Sequence, residues 1–443
     1  MKKLPWLSLA FSVLFHQAAF AATISVNPSD DLQAALNSAS AGDTIVLLPG
    51  RYVGNFTIPT AMTLSGEQGA VIDAQGKDNA LTLTSSDVTV EGLQIINWGK
   101  NLTEQNAGIY SDQPAENLVI RRNQLKGNGF GMWIQRANRI TIEHNLVEGN
   151  TELRSADRGN GIQLSTVTHA VVSDNEVFHT RDGLYVISSQ HSLLRNNTMH
   201  DLRYGVHYMY SHSNKVIGNL AYNTRAGYAL MSSKNLSVQA NISRDTEDYG
   251  MLMNFITQSD ISYNQFYRVW TKPENKVIGR EGKGLFVYNS GQNTISYNRI
   301  DTAEIGIHLT AGSEDVKVYG NAFINNPVQV KYVSSREQEW SQESVGNYWS
   351  NYLGWDLDND QIGDTPFEPN DGIDKMMWKY PESKVLLDSP AVLMLRWIQK
   401  QFPVLKPVGV KDSYPLMSPL DLDSIVEQIK HRAAVSQPEG NHS

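Results

Sequence analysis

The chain has no cysteine among its 443 residues. This absence excludes disulfides, thiolate zinc sites, iron–sulfur clusters and cysteine nucleophiles. Any chemistry that involves a soft metal ion therefore has to use the 12 methionines and 11 histidines.

Basic residues are also scarce, with 37 Lys and Arg against 46 Asp and Glu and a net charge of −9. A protein that binds nucleic acid needs a basic face to neutralise phosphates, and no such excess is present. The composition therefore excludes a tight electrostatic DNA or RNA partner.

Long hydrophobic runs are absent after the N-terminal segment. Residues 1–21 combine Lys2 and Lys3, an apolar run from Leu4 to Phe15, and an Ala-Phe-Ala end. These three parts are typical of a secretory signal peptide cleaved near Ala22. An uncleaved membrane anchor is the alternative, but the run is shorter than the roughly 20 residues that a bilayer requires. We expect an exported, soluble mature protein with a net charge of about −11 once the two leader lysines are removed.

A glycine recurs through the middle of the chain with a period of about 22 residues, which indicates a repeat architecture. Two steps are longer, from Gly131 to Gly161 and from Gly250 to Gly284, and predict loop insertions at about 148–160 and 267–283. The repeated glycines are Gly108, Gly131, Gly161, Gly183, Gly205, Gly227, Gly250, Gly284 and Gly306.

An asparagine follows most of these glycines at a constant distance, as Asn197 follows Gly183 and Asn219 follows Gly205. An inward-pointing amide at a turn can bond backbone groups and pair with its copies in adjacent repeats, so the role we predict is structural. The set is Asn123, Asn145, Asn175, Asn197, Asn219, Asn241, Asn264, Asn298 and Asn321, of which the first and last lie one position later than the others.

Apolar and polar residues alternate after each glycine, as in Gly161-Ile-Gln-Leu164. Three short strands fit into a repeat of about 22 residues, whereas a helix pair does not. We therefore predict an all-β fold, a right-handed parallel β-helix over residues 44–335, with an N-terminal cap over 22–43. That cap contains a short helix after Ser29 and Asp30. Leucine-rich repeats are the rival fold, but their leucine signature is missing.

Residues 336–385 form a predicted C-terminal cap with an aspartate-rich loop. Asp356, Asp358, Asp360 and Asp364 supply oxygen at alternating positions, the pattern that a structural Ca²⁺ requires. Phe367 stands where an EF-hand loop carries its bidentate glutamate, so a solvated acidic turn is the alternative.

Residues 386–443 form a predicted helical docking tail. A helix that starts at Ser389 and Pro390 is apolar around most of its girth, which favours contact with a partner or membrane protein. The alternative is that the tail folds back over the β-helix. The docking residues that we predict are Trp397, Phe402, Leu416 and Met417.

The strand pattern also sorts the possible metal ligands. Residues one and three after each glycine point inward, and those two and four after it point outward. His207 and Met209 are therefore outward, and Met231 lies one strand spacing of about 4.8 Å from Met209. Imidazole with two thioethers suits Cu(I), although ordinary surface residues would show the same pattern. His169 and His191, which occupy equivalent positions after their glycines, form a second candidate pair.

An enzyme that acts on acidic polysaccharides is the main alternative function for a β-helix. Such chemistry needs paired carboxylates or a base with a cationic clamp. The outward positions two and four after the central glycines hold no carboxylate, and Asp182, Arg203 and Arg225 lie at the corner before them. We assign no catalytic residue and expect a protein that is not an enzyme. Polysaccharide binding or degradation remains the alternative.

Three segments together resemble the NosD family, whose members are periplasmic β-helix proteins required for the maturation of nitrous-oxide reductase. They are Gly205-Val-His-Tyr-Met-Tyr-Ser211, Gly346-Asn-Tyr-Trp-Ser-Asn-Tyr352 and Gly409-Val-Lys-Asp-Ser-Tyr-Pro-Leu-Met417. The resemblance implies a periplasmic assembly factor that associates with the membrane through an ABC transporter, made of a permease and an ATPase. It also implies that copper is accepted from a chaperone lipoprotein and passed toward nitrous-oxide reductase.

Overall fold

A computed structural model describes residues 21–277, 280–310, 312–333, 336–386, 389–402 and 409–435. Except for Ala21, the predicted signal peptide lies outside these residues. The described chain winds into a parallel β-solenoid of about 14 turns, which confirms the predicted fold class.

Each turn contributes short strands to faces of the solenoid. The first face is a 13-stranded sheet in which every strand pairs in parallel with the strand one turn later. Its strands are Thr23–Val26, Thr44–Leu47, Thr63–Gly66, Thr89–Glu91, Val119–Arg121, Thr141–Glu143, Val171–Ser173, Leu193–Arg195, Lys215–Ile217, Ser237–Gln239, Asp260–Ser262, Thr294–Ser296 and Lys317–Tyr319.

The second and third faces form one 23-stranded sheet, because two 12-residue strands run around the corner between them. These shared strands are Thr198–Met209 and Leu220–Met231. The second face adds Gly50–Val53, Ala70–Lys77, Gln94–Trp98, Gln124–Gly127, Leu146–Gly149, Glu176–Phe178, Ile242–Thr246, Gln265–Val269, Arg299–Ala303, Ala322–Ile324 and Tyr348–Trp349. The third face adds Phe56–Ile58, Leu81–Leu83, Ala107–Ser111, Phe130–Gln135, Ile162–Ser165, Asp182–Ile187, Tyr249–Asn254, Lys283–Tyr288, Ile305–Thr310 and Val328–Val333.

The core lies inside the solenoid and is made of the inward residues of all three faces. Tyr208, Tyr228, Met251 and Met253 are fully buried there, as the glycine-based pattern predicts. Two short strand pairs lie outside the three faces, Ala115–Glu116 with Ala137–Asn138 and Gln338–Glu339 with Val410–Lys411.

The repeated asparagines form a continuous amide ladder at the turn between the first and second faces. The Nδ2 of Asn197 donates to Oδ1 of Asn219 at 2.9 Å, and Asn219 donates to Asn241 at 3.0 Å. The same bond links every member from Asn123 onward and continues through Asn347. The structural role predicted for these residues is confirmed.

The N-terminal cap is the helix α1, Leu32–Ser38, which buries Leu32 and Leu36 over the first turn. Its N-cap is Asp31, whose carboxylate accepts from the backbone amide of Ala34 at 3.0 Å. The expected helix is therefore present, and its cap lies one residue later than the predicted Asp30.

The C-terminal end of the solenoid is closed by aromatic rings and by a strand from further along the chain. Trp349 stacks on Phe323 at 4.4 Å between ring centroids, and Trp340 lies 6.2 Å from Trp349. Val410–Lys411 pairs with Gln338–Glu339, so residues 409–417 belong to this cap. The predicted docking tail at 386–443 is therefore interrupted by a part of the cap.

Among the residues that the structure describes, three α-helices follow the solenoid: α2 (Gly372–Lys379), α3 (Pro390–Gln401) and α4 (Asp423–Val435). Helix α4 folds back on the solenoid, where Ile429 and Ala433 pack against Leu193 and Ile217 of the first face. Helix α3 packs on α2 through Val392. Short 3₁₀ helices lie at Ser155–Asp157, Pro273–Asn275 and Pro381–Leu386. Within the described ranges, no helix has the length and apolar character needed to cross a membrane.

Candidate metal site

Asp182 and His207 form the centre of the candidate site on the outer surface of the third face. Asp182 begins one strand of that face, and His207 lies on the next strand. The Nδ1 atom of His207 is 2.9 Å from Oδ2 of Asp182. An ionised carboxylate can only accept, so Nδ1 carries the proton and donates it to Asp182.

The second nitrogen of His207, Nε2, is buried and has no hydrogen-bond partner among the described residues. In a neutral imidazole whose Nδ1 is protonated, Nε2 carries a free lone pair. A carboxylate that holds one ring nitrogen while the other remains available is the arrangement found around metal-binding histidines. The geometry of His207 therefore fits a metal ligand.

Asp182 is fully buried and is also held by Arg203, whose Nε and guanidinium Nη2 donate to its two oxygens at 2.8 and 2.6 Å. Burial alone would raise the pKa of Asp182. The hydrogen bonds from His207 and Arg203 outweigh that effect and hold the pKa below its ordinary value. Asp182 is therefore a fixed negative charge that orients the imidazole.

Met209 and Met231 lie side by side beyond His207. They are direct register partners on the two long strands, as the sequence predicts, and both are partly exposed. Tyr185 links Met209 to His207, because its hydroxyl is 3.2 Å from Met209 Sδ and its ring is 4.6 Å from the imidazole. The structure thus brings His207, Met209 and Met231 onto one surface patch.

One expectation about this patch was wrong. The alternation of strand residues predicts that His207 is exposed, but only 7% of its surface is accessible. The rings of Tyr185 and Tyr204 stand edge-on to the imidazole at 4.6 and 5.1 Å and cover it. An outward direction from the sheet is not the same as contact with solvent when bulky neighbours occupy adjacent turns.

Asp182 is the site residue whose role the sequence analysis missed. Its position one residue before Gly183 marks it as a corner residue, whereas the search for carboxylates covered only positions two and four after each glycine. The strand begins at Asp182 itself, and the hydrogen bond to Nδ1 of His207 shows that its side chain reaches the imidazole from this corner. The two-residue alternation groups Asp182 with the inward residues Leu184 and Val186, so the sequence pattern carries no signal for its contact with His207.

The two predicted insertions lie at the corner that precedes the third face. The first is tied down by Arg158, which donates to the carbonyl of His179 at 3.0 Å. The second is tied by Arg280, whose Nε donates to Asp248 at 2.9 Å, while Arg225 holds the other oxygen of Asp248. Both insertions are therefore anchored beside the turns that carry the candidate site.

The second candidate pair, His169 and His191, stacks with 5.5 Å between ring centroids. The Nδ1 of His169 lies 3.1 Å from Oδ1 of Asn138. The pair belongs to the turn that precedes the first face, away from Met209 and Met231. Its role as a metal site stays a prediction.

The aspartate-rich loop brings three of its four predicted ligands together. Carboxylate oxygens of Asp356, Asp358 and Asp360 lie within 4.8 Å of one another. The nearby charge of Asp360 raises the pKa of Asp358. Asp364 is not part of this group of three, and it accepts from the backbone amide of Leu357 in the same loop at 2.9 Å. Calcium binding by this loop stays a prediction.

The four predicted docking residues fall into two groups. Trp397 and Phe402 are exposed on and just after α3. Leu416 is only 8% exposed because it pairs with Tyr348 and Ile362 in the cap, so it is withdrawn from the docking surface. Met417 is partly buried beside it.

Comparison with known proteins identifies the family. A model described as periplasmic copper-binding protein (NosD) matches residues 143–354, and one described as right-handed beta helix region matches residues 69–166. A relative from Pseudomonas aeruginosa, named "Probable ABC transporter binding protein NosD", is 54% identical over 373 residues, which cover 84% of this chain and 87% of the relative. The chain belongs to the NosD family. A NosD relative from Stutzerimonas stutzeri is 49% identical over 371 residues, which cover 83% of this chain and 85% of that one.

The NosD family is a family of periplasmic copper-binding proteins, so this chain has an accessory role of the NosD type. Solved structures add only the fold. An exopolygalacturonase from Yersinia enterocolitica aligns with a TM-score of 0.58 at 10% identity and covers 73% of this chain and 77% of its own. The A-module of the mannuronan C-5 epimerase AlgE6 from Azotobacter vinelandii aligns with a TM-score of 0.54 at 14% identity. The alignment covers 71% of this chain and 93% of the A-module.

Proposed function

We propose that this chain is a non-enzymatic periplasmic assembly factor that accepts Cu(I) at His207, Met209 and Met231 and delivers it toward the copper clusters of nitrous-oxide reductase. The observation that carries the proposal is the free, buried Nε2 of His207 beside two methionines in register. The family's description as copper-binding supports the choice of metal.

The ligand types favour Cu(I) over other metal ions. Thioethers are soft, neutral donors that suit Cu(I) and bind Mg²⁺, Ca²⁺ or Mn²⁺ poorly. The imidazole adds one borderline donor that Asp182 keeps in a fixed orientation. Such a set binds Cu(I) without a thiolate, which agrees with the absence of cysteine.

The exposure of the ligands is suited to transfer of the ion. His207 lies behind the surface, whereas Met209 and Met231 are partly exposed. A ligand of a partner protein can therefore approach the ion from the methionine side and displace the thioethers one at a time, while His207 still holds it. We propose a copper chaperone lipoprotein as donor and nitrous-oxide reductase as acceptor.

We also propose that the chain works with an ABC transporter, made of a permease and an ATPase, and that this association holds it at the membrane. The curated relatives are named as probable ABC transporter binding proteins, which supports this partnership. The C-terminal part of α3, with Trp397 and the following Phe402, is the proposed contact.

The test is an anaerobic Cu(I) titration of the mature chain against a competing chelator. The parent is compared with a His207→Ala, Met209→Ala, Met231→Ala variant. A matched control carries Ile187→Ala and Asn254→Ala, because these residues flank Met209 and Met231 in the same column of the third face.

We expect one Cu(I) bound by the parent and the control, and loss of that binding in the triple variant. Equal Cu(I) binding by the triple variant would contradict the proposed ligands and indicate that the ion binds at His169 and His191 or in the loops. No binding by the parent would contradict the proposal that the free protein carries copper.

A further inference from the structure

Lys283 is a buried lysine at the point where the second insertion ends and the strand Lys283–Tyr288 begins. Only 6% of its surface is accessible. Among the described residues, Nζ donates to the backbone carbonyl of Glu281 at 2.6 Å and lies 5.5 and 5.6 Å from the ring centroids of Tyr249 and Phe286. An ammonium group has three N–H donors, and these contacts supply a hydrogen-bond acceptor for only one of them. A lysine is almost never buried to this extent without a paired charge.

The acidic residues near Lys283 do not supply that charge by direct pairing. Asp248 pairs with two arginines, and Glu304 pairs with a lysine of the second insertion. Glu281 contacts Nζ through its backbone carbonyl. Burial lowers the pKa of Lys283, and the three acids act in the opposite direction without cancelling that effect. The ammonium group therefore lies in a place that favours the arrival of a further negative charge.

Two more nitrogen-bearing side chains lie beside Phe286 on the outer surface of the third face. His308 is the register partner of Phe286, with 4.8 Å between ring centroids, and Lys331 is the register partner of His308. The Nδ1 atom of His308 is buried and has no hydrogen-bond partner among the described residues. Burial and the charges of Lys331 and Lys283 lower the pKa of His308 to about 3. The imidazole is therefore neutral at pH 7, and one of its nitrogens carries a proton that it can donate.

We propose that Lys283, His308 and Lys331 form a binding site for a small oxyanion such as phosphate. Buried charges in proteins are normally paired, and an oxyanion brings both the charge and the acceptor atoms that Lys283 lacks. Because Lys283 lies behind the surface, a small ion suits the site better than a bulky group. The inference goes beyond the proposed function and does not depend on copper binding.

The site lies on the same side of the solenoid as the candidate metal site. His308 follows Gly306 by two residues, as His207 follows Gly205, and the two histidines are four turns apart. Four strand spacings place them roughly 19 Å from each other along the axis. Lys283 reaches this surface from the corner before the strand, as its contact with Phe286 shows.

The experiment is a calorimetric titration of the mature chain with inorganic phosphate at constant ionic strength. Lys283→Met keeps a long side chain against the two aromatic rings and removes the charge. Lys331→Gln removes the second charge at a position that is only partly buried, so it tests the site even where Lys283→Met fails to fold. The matched control is Lys317→Gln, which makes the same change of charge at an exposed position on the first face.

We expect the parent and the control to bind one phosphate, and Lys283→Met and Lys331→Gln to bind it at least about tenfold more weakly. Unchanged far-ultraviolet circular dichroism of the variants excludes unfolding as the cause. Equal phosphate affinity in the parent and in both site variants would overturn the proposal and leave Lys283 a structural role against the aromatic rings. Absence of phosphate binding by the parent would also overturn it, as would an equal loss of affinity in Lys317→Gln.

Discussion

Asn347, the last amide of the ladder, donates to a carboxylate instead of to another asparagine. Its backbone amide and its Nδ2 lie 2.7 and 3.2 Å from Oδ2 of Asp412, a residue 65 positions further along the chain. Trp349 Nε1 reaches the same oxygen at 2.8 Å. The final turn of the solenoid and the returning segment 409–417 are thus joined through one buried carboxylate.

The first prediction concerns the pH dependence of this junction. Burial raises the pKa of Asp412 from 3.8 to about 6, although four hydrogen bonds from its neighbours act in the opposite direction. Well below pH 3.8 the carboxyl is protonated in both the folded and the unfolded chain. As the pH rises from about 4 to 6 the unfolded chain ionises first, so this group lowers the free energy of unfolding by an amount on the order of 3 kcal/mol.

The Asp412→Asn variant should lack that contribution. Its free energy of unfolding, followed by chemical denaturation at several pH values, should fall less than that of the parent between pH 4 and pH 6. A difference between parent and variant that does not change across this window would contradict the prediction.

The second prediction concerns Asp182, which we expect to act as a positioning residue for His207. Asp182→Asn keeps the shape of the side chain but removes its charge, and loss of such a partner typically weakens metal affinity about 10- to 100-fold. The measurement is the Cu(I) dissociation constant by chelator competition. The control is Asp248→Asn, because Asp248 is also buried and held by two arginines but serves no histidine in the described contacts. A similar loss of Cu(I) affinity in both variants would contradict the prediction, because it would indicate a general disturbance of the structure and not a specific effect on His207.

The third prediction concerns the ladder itself. Asn219→Ala removes the acceptor for the backbone amide and Nδ2 of Asn197 and the donor to Asn241. Buried groups left without partners should lower the free energy of unfolding by about 2–3 kcal/mol. Urea denaturation measures this loss, and Asn351→Ala, at an exposed position, serves as the control with an expected change below about 0.5 kcal/mol. An equal loss at Asn351 would argue against a special role of the ladder.

The fourth prediction concerns calcium at the aspartate-rich loop. If Asp356, Asp358 and Asp360 bind Ca²⁺, millimolar Ca²⁺ should raise the melting temperature, and Asp358→Asn should abolish the rise. Asp315→Asn is the control, because Asp315 is an exposed aspartate outside the loop. A melting temperature that does not change with Ca²⁺ would contradict calcium binding and indicate that the loop is a solvated acidic turn.

The regular part of this molecule could be predicted from sequence because its signals repeat. The glycines recur at about 22 residues over most of the repeat, and an asparagine follows most of them at the same distance, so together they fix the turn length, the register of Met209 on Met231 and the position of the ladder. Each turn repeats the same pattern, so the assignment of strands and register in one turn can be checked against the neighbouring turns.

The burial of His207 and the role of Asp412 could not be predicted, because neither follows from a local pattern. His207 is covered by tyrosines from its own turn and the preceding one, and the shape of side chains does not appear in a two-residue alternation. Asp412 lies 65 residues after Asn347, and the described part of the chain between them includes the helices α2 and α3. A single sequence contains no signal that links positions so far apart without a repeat between them.

The ladder has a direction. Every bond from Nδ2 to the Oδ1 of the next asparagine points toward the C-terminal end, so the amide dipoles add along the axis of the solenoid with their positive end at the last turn. Aligned peptide dipoles give an α-helix an N-terminus that attracts negative charge. Here a row of side chains produces the same polarity in a molecule built almost entirely of strands, and the carboxylate of Asp412 lies at its positive end. The carboxylate of the cap thus compensates the positive end of the ladder. A neutral or basic residue at position 412 would lack this favourable electrostatic interaction.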